Sequence, residues 1–212
     1  GRPLSPAVAI RAALPLLDEL ARAHSEGILA GLVDPDRISI RENGTWALHS
    51  AGELLVDYGP RTNPGIFPLQ DYTAPELVQP DRDPTPASDV YGVGVVLYEA
   101  LTGSVPFDEV EAGLKLMVAK LQGGAALASL RHPELAGPLD SILALALGSD
   151  PEARPSMEAF ARSLRQIGVT SADASWSARR ELGLAGQPRG PYVILDGLEW
   201  TPMGPRCMAV GP

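Results

Sequence analysis

A chain of 212 residues is long enough for one domain with a substantial hydrophobic core, or for one domain and an appendage. Its 17 Lys and Arg against 26 Asp and Glu give a formal net charge of −9, which argues against a nucleic-acid partner because phosphate binding requires clustered cations. The single cysteine, Cys207, excludes an internal disulfide framework and suits a reducing compartment, so we expect a cytoplasmic protein.

The first predicted element is a long helix over residues 6–25. Ser5 offers a capping hydroxyl, Pro6 suits the first helical position, and the sequence that follows is rich in Ala and Leu. Pro15 removes a backbone donor inside this helix and should kink it. Gly27 follows as the expected left-handed cap.

A β-hairpin is predicted next. Residues 37–41 and 45–49 alternate between apolar and polar, and the Asn43-Gly44 pair between them is a strong signal for a tight hairpin turn. Residues 53–58 are a candidate third strand. The Pro and Gly content of residues 59–69 then predicts an irregular loop.

The chain is organised around the stretch 86–107. The run Val90–Leu101 is apolar on almost every side, which is typical of a buried helix. A strand is the rival interpretation, but the run is longer than a usual strand, and it is too short to span a membrane. Gly92 and Gly94 each cost about 1 kcal/mol against Ala in a helix, so we expect close packing on that face. Asp89, in the first turn of this buried helix, is the charged residue of most interest.

The remaining patterns make the body of the protein mostly α-helical. Apolar periodicity predicts helical segments at residues 75–80, 87–102, 109–121, 136–147 and 156–167.

The composition changes after Gly168, which divides the chain into a domain over residues 1–168 and an extension over 169–212. The extension is rich in Gly, Pro and Ser, yet it contains Trp176, Tyr192 and Trp200. That much aromatic surface predicts docking, either on the domain itself or on a partner protein.

Three motifs in order carry a family resemblance. Residues 72–76 read Tyr-Thr-Ala-Pro-Glu, residues 88–91 read Ser-Asp-Val-Tyr and lead to Gly-Ser-Val-Pro-Phe at 103–107, and residues 150–155 read Asp-Pro-Glu-Ala-Arg-Pro. In this order, over about residues 5–168, the chain resembles the C-terminal lobe of a bacterial Ser/Thr protein kinase. The resemblance implies a mainly α, kinase-like large lobe with a short β-hairpin, followed by the irregular C-terminal extension.

The resemblance also implies structural roles for three charged residues. Glu76 should pair with Arg154, which lies far away in the sequence. Asp89 should accept hydrogen bonds from the backbone of the loop around Ala30–Leu32, which would satisfy its buried charge. The alternative is that all three are ordinary charges at helix ends.

The catalytic positions implied by the resemblance depart from the family pattern. Alignment places Ala30-Gly31-Leu32 where His-Arg-Asp would stand, with Asp34 at the usual Lys and Arg37 at the usual Asn. Leucine has no lone pair for a substrate hydroxyl, and arginine repels the cation that asparagine would bind.

The position of the metal-binding Asp-Phe-Gly motif has two candidates. Counting residues favours Ser50-Ala51-Gly52, whereas Asp57-Tyr58-Gly59 is the better chemical match. In the second register Asp57 would be a surviving, though weak, metal-ligand candidate. Otherwise we expect no catalytic, metal or cofactor site, and the loop carboxylates would simply be solvated.

We therefore expect a non-catalytic, pseudokinase-like domain rather than an enzyme. No Gly-rich loop or strand Lys of a small lobe precedes residue 5, so either the chain was cut there or it never had that lobe. The expected function is a scaffold or regulatory module in signalling that binds another protein, with no nucleic-acid or membrane partner. The alternative is nucleotide binding or residual kinase-type activity around Asp57, completed by an upstream or partner small lobe.

Overall fold

The computed structural model describes residues 3–48, 71–79 and 82–169. These residues form a mostly helical body with one two-stranded antiparallel sheet, as the sequence predicts. The candidate third strand at 53–58, the loop at 59–69 and the extension after Val169 lie outside the described residues. The elements are α1 (Pro6–Ser25), β1 (Ile38–Ile40), β2 (Trp46–Leu48), α2 (Pro86–Thr102), α3 (Leu114–Gln122), α4 (Pro138–Ala146) and α5 (Met157–Val169).

The first helix has the predicted bounds. Pro15 lies inside α1 without ending it, and Gly27 follows with a left-handed φ of +77°. The predicted cap at Ser5 is wrong in one respect, because its hydroxyl makes no capping hydrogen bond to the helix. The Ser5 carbonyl instead accepts the first hydrogen bond of the helix, from Ala9 N at 3.0 Å.

The predicted hairpin is confirmed. Ile38 pairs with Leu48 and Ile40 pairs with Trp46 across the turn, where Gly44 adopts a φ of +80°. Trp46 is fully buried, and β2 packs against α1. Residues 28–37 connect the end of α1 to the hairpin, which packs back against α1.

Helix α2 is the centre of the core, as its apolar run predicts. All of its residues from Ser88 to Thr102 are buried. The ends are set locally: Thr85 and Ser88 form a capping box, Pro86 opens the helix, and Gly103 closes it at a φ of +81°. The helices α1, α4 and α5 pack around it, and α1 also lies along α5.

The two glycines of α2 explain how closely other elements approach it. A Cβ on Gly92 would stand 2.7 Å from the carbonyl oxygen of Val33, and a Cβ on Gly94 would stand 3.1 Å from Cβ of Ala146. Gly92 therefore admits the backbone of residues 28–37, and Gly94 admits the end of α4. The predicted close packing at these glycines is confirmed, but on two different faces of α2, because residues two apart point in nearly opposite directions around a helix.

Two predicted helical segments differ from the structure. Residues 75–80 form only a short 3-10 turn, Pro75–Val78, and the helix predicted over 109–121 begins at Leu114. Gly113 precedes α3 with a φ of +94°, a conformation that cannot continue a right-handed helix. In the ranges that the structure describes, no helix is long and apolar enough to cross a membrane.

Candidate functional site

The loop of residues 28–37, called here the anchored loop, is held by a buried carboxylate. Asp89 is fully buried in the first turn of α2, and its two oxygens accept hydrogen bonds from Ala30 N and Gly31 N, each at 2.9 Å. His24 Nε2 lies 2.9 Å from the same carboxylate. The structure thus brings together Asp89 and the loop that the resemblance assigned to it, and adds His24, which sequence reasoning missed.

Arg37 turns its side chain back onto the anchored loop. Its guanidinium donates to the carbonyl oxygens of Ala30 and Leu32 at 3.4 and 3.3 Å, and its backbone N–H donates to the Asp34 carboxylate at 3.1 Å. Burial raises the pKa of Asp34, although the nearby Arg37 charge opposes the shift. The pKa of Asp36 is also raised, by burial and by the neighbouring carboxylate of Asp34.

These contacts determine which side chains of the anchored loop lie at the protein surface. Leu32, Asp34 and Arg37 are all partly exposed, and Asp34 caps the short 3-10 turn Pro35–Arg37. The expectation of a purely solvated carboxylate does not describe Asp34, because it accepts a backbone hydrogen bond and is partly buried. The loop therefore has a fixed backbone and presents a leucine, an acid and an internally bonded arginine at its surface.

Glu76 and Arg154 form a buried, bidentate ion pair. The two guanidinium nitrogens Nη1 and Nη2 donate to the two carboxylate oxygens, each at 2.7 Å. Arg154 also donates to the carbonyl oxygens of Gly148 and Ala87, both at 2.9 Å. Such a fork geometry satisfies both charges, and it ties the 3-10 turn Pro75–Val78 to the loop before α5.

Lys120 is a second buried cation, which sequence reasoning missed. Its ammonium, on α3, donates to the carbonyl oxygens of Asp71 and Thr73 at 2.6 and 2.9 Å. It also lies 5.4 Å from the ring centroid of Tyr91, which Arg154 approaches at 5.0 Å from its own side. Lys120 therefore fixes the backbone just before the Ala-Pro-Glu motif.

A further contact ties this segment directly to the central helix. The Tyr72 hydroxyl donates to the buried carboxylate of Glu99 at 2.5 Å. Burial and the Glu99 charge raise the pKa of Tyr72 well above its usual range, so the phenol stays protonated and remains a donor. A hydrogen bond between residues so far apart in the sequence has no local pattern, and sequence reasoning missed it.

The other predicted positions lie outside the described residues. These are the two metal-motif candidates, Ser50 and Asp57, and the interaction candidates Trp176, Tyr192 and Trp200. Within residues 3–48, 71–79 and 82–169, no group of three or more His, Cys, Asp and Glu side chains is arranged to hold a metal ion.

Comparison with known proteins finds matches among the protein kinases. Residues 67–164 match the protein kinase domain family. The chain is 30% identical over 203 residues to the serine/threonine-protein kinase PkaA of Streptomyces coelicolor, covering 85% of this chain and 34% of that protein. It is 28% identical over 205 residues to Pkn1 of Myxococcus xanthus, covering 91% of this chain and 29% of that protein. It is 32% identical over 154 residues to PknL of Mycobacterium tuberculosis, covering 72% of this chain and 38% of that protein.

The fold and the matches together define the class: the described residues are a protein-kinase-like large lobe. Residues 67–164 match the protein kinase domain family, and the chain is similar to bacterial Ser/Thr protein kinases. The chain spans about one third of the length of these relatives.

The expectation that the chain is not an enzyme is wrong. The relatives are named serine/threonine-protein kinases, and these are enzymes. The resemblance aligns Leu32, Asp34, Arg37 and Ser50 with catalytic and metal-binding positions of the family. That alignment does not establish a loss of catalysis. The physical reason is that a phosphotransfer site is assembled from several distant segments and two lobes. One loop therefore does not decide the activity.

Replacing Arg154 with Ala tests the buried pair. The Arg154→Ala variant leaves the Glu76 carboxylate buried without its partner, which should lower the free energy of unfolding by about 3 to 5 kcal/mol. Urea denaturation measures this loss. The matched control is Arg162→Ala, which breaks the exposed pair with Glu158 and should change stability by less than about 0.5 kcal/mol. An equal, small effect of both changes would contradict the role of the pair.

Lys120 predicts a pH dependence of stability. Burial lowers the pKa of Lys120 to about 8 from its ordinary 10.5. Between these two values the unfolded chain binds more protons than the folded one, so the free energy of unfolding should rise with pH across this window. The Lys120→Met variant should lose that rise, measured by denaturant titration at several pH values.

The difference between the pH slopes of the free energy of unfolding in the parent and the variant gives the contribution of Lys120, because titration of the tyrosines contributes to both slopes. Lys115→Met is the control, since Lys115 is exposed and pairs with Glu111. A parent and a Lys120→Met variant with the same slope would refute the shifted titration.

Proposed function

We propose that this kinase-type large lobe is a protein-binding module, acting as a scaffold or regulatory part of a bacterial signalling protein. The observation that supports it best is an apolar stripe on α3. Leu114, Val118 and Leu121 are 68%, 41% and 38% exposed. Their spacing of four and three residues places them on one face of the helix.

The opposite face of α3 is firmly attached to the body. Leu116 and Lys120 are its buried residues, and Lys120 is bonded to the carbonyl oxygens of Asp71 and Thr73. The exposed stripe is therefore held in one orientation before any partner arrives. A preorganised surface loses less conformational entropy on binding, and exposed apolar patches commonly mark protein interfaces.

The surroundings of the stripe indicate the chemistry of the partner. Leu121 also lines a cleft of about 650 Å³, bordered by Gln79, Thr85 and Pro155. Exposed Glu109 and Glu111 precede the helix, with Glu111 paired to Lys115 of α3, and the whole chain has a net charge of −9. The partner that fits is a protein with an apolar contact patch bordered by Lys or Arg side chains.

Charged substitutions in the stripe test this proposal. In the double variant Leu114→Lys and Val118→Lys, binding would remove two charged ammonium groups from water. The affinity for the partner should therefore fall at least tenfold, about 1.4 kcal/mol. Proteins that copurify with the full protein are quantified by mass spectrometry. The partner so identified is then titrated calorimetrically against parent and variant.

The matched control is Leu130→Lys, because Leu130 is 75% exposed in the 3-10 turn Ala128–Leu130, which belongs to another part of the surface. Binding should survive that change. A partner that binds the stripe variant as tightly as the parent would overturn the proposal.

A second candidate function is nucleotide binding with kinase-type phosphoryl transfer. The names of the relatives favour it, and so does the anchored loop, whose backbone is held by Asp89 at the position where the family places its catalytic loop. Completion of the site would require a small lobe from an adjoining segment or a partner chain, with Asp57 as a metal-ligand candidate.

The second candidate predicts stabilisation by ATP with magnesium. At 100 times its dissociation constant, a ligand of the native state adds about 2.7 kcal/mol, which differential scanning fluorimetry detects as a higher melting temperature. Asp57→Asn should abolish the shift, while Asp36→Asn, at an exposed position of the anchored loop, should keep it. If MgATP does not change the melting temperature of the full protein together with the segment or chain that supplies the small lobe, this candidate is removed.

A further inference from the structure

A shallow apolar groove lies between α4 and α5, on a part of the surface separate from the anchored loop and from α3. Its volume is about 500 Å³. Leu145 is 52% exposed within it, Ile142 is a buried residue of its lining, and Ile167 is partly buried against the core. Ser141, Ser163 and Gln166 contribute polar groups to the same groove.

The chain itself continues from this groove. Helix α5 ends at Val169, two residues after Ile167, and the sequence runs on to Pro212. Residues 170–175 can span about 20 Å when extended. The stretch of α5 that borders the groove, from Ser163 to Ile167, rises only about 6 Å. Residue 176 can therefore return to any point of the groove.

The first large side chain after α5 suits the groove chemically. Residues 170–175 are small or polar, and Trp176 follows them. An indole ring has a large apolar body and one N–H donor, so it is most stable where an apolar base meets a polar rim. The groove offers Leu145 and Ile142 for the ring, and the oxygens of Ser141, Ser163 and Gln166 as acceptors for the indole N–H.

We propose that Trp176 of this chain docks in the groove between α4 and α5 and covers Leu145. The docking is intramolecular, because the tether of residues 170–175 gives Trp176 a high effective concentration at the groove. The contact makes the C-terminal extension part of the folded lobe at this point. It is independent of the proposed partner surface on α3.

Tryptophan fluorescence of the full chain tests the docking. In a Trp200→Phe background only Trp46 and Trp176 remain, and Trp46 is fully buried. Subtraction of the spectrum of a Trp200→Phe, Trp176→Phe variant isolates Trp176. We expect a blue-shifted emission and weak quenching by acrylamide. Leu145→Glu should raise the quenching constant of Trp176 severalfold and shift its emission to the red.

The control for this measurement is Leu114→Glu, at the 68% exposed position of α3, which should leave Trp176 protected. Thermal melts of both variants check that the lobe stays folded. Emission typical of a solvated indole in the parent chain would overturn the proposal. So would protection that Leu145→Glu does not change.

Disulfide trapping separates this chain's own tryptophan from that of a second copy. In a Cys207→Ser background that keeps Trp176 and Leu145, Ser141→Cys with Ser177→Cys should form an intramolecular disulfide under mild oxidation, and Leu114→Cys with Ser177→Cys should not. Non-reducing electrophoresis distinguishes the products. A disulfide-linked dimer would assign the groove to a second copy and overturn the intramolecular proposal, as would the absence of any disulfide.

Discussion

The buried carboxylate of Asp89 is the interaction on which the site depends. A charged group without water is tolerable only when its oxygens are hydrogen-bonded, and Asp89 meets this condition through the backbone of Ala30 and Gly31 and the ring of His24. Because the bonds go to backbone N–H groups, they fix the path of the anchored loop whatever side chains the loop carries. Gly92 completes the arrangement by letting Val33 lie directly on α2.

A second set of contacts fixes the segment before the Ala-Pro-Glu motif. Arg154 and Lys120 both approach the ring of Tyr91. Arg154 binds the Glu76 carboxylate, and Lys120 binds the carbonyl oxygens of residues 71 and 73. The Tyr72 hydroxyl ties the same segment to Glu99 of α2. The lobe therefore holds both surface segments, the anchored loop and residues 71–78, against one central helix. This rigidity also gives α3 its fixed orientation, on which the proposed partner surface relies.

The predictable and unpredictable parts of this structure differ in the range of the forces that set them. Helix α2 was predictable because its long apolar run is a local signal, and its capping box and closing glycine lie within the same short stretch. The pairing of Glu76 with Arg154 came from the family resemblance, since nothing local connects the two residues. Lys120, His24 and the Tyr72 to Glu99 bond were missed because each depends on elements brought together only by packing. The late start of α3 was missed because the apolar periodicity of residues 109–121 does not reveal that Gly113 adopts a positive φ, which prevents the helix from beginning before Leu114.

The sequence by itself determined the helical body, the hairpin, the buried central helix and the likeness to a kinase large lobe. These depend on capping, periodicity and turn chemistry, which act over a few residues. The tertiary structure decided which buried charges meet, how the anchored loop is held and which apolar side chains remain on the surface. The physical reason is that burial of charge and exposure of Leu114 or Leu145 depend on which distant elements pack together, and the local sequence does not carry that information.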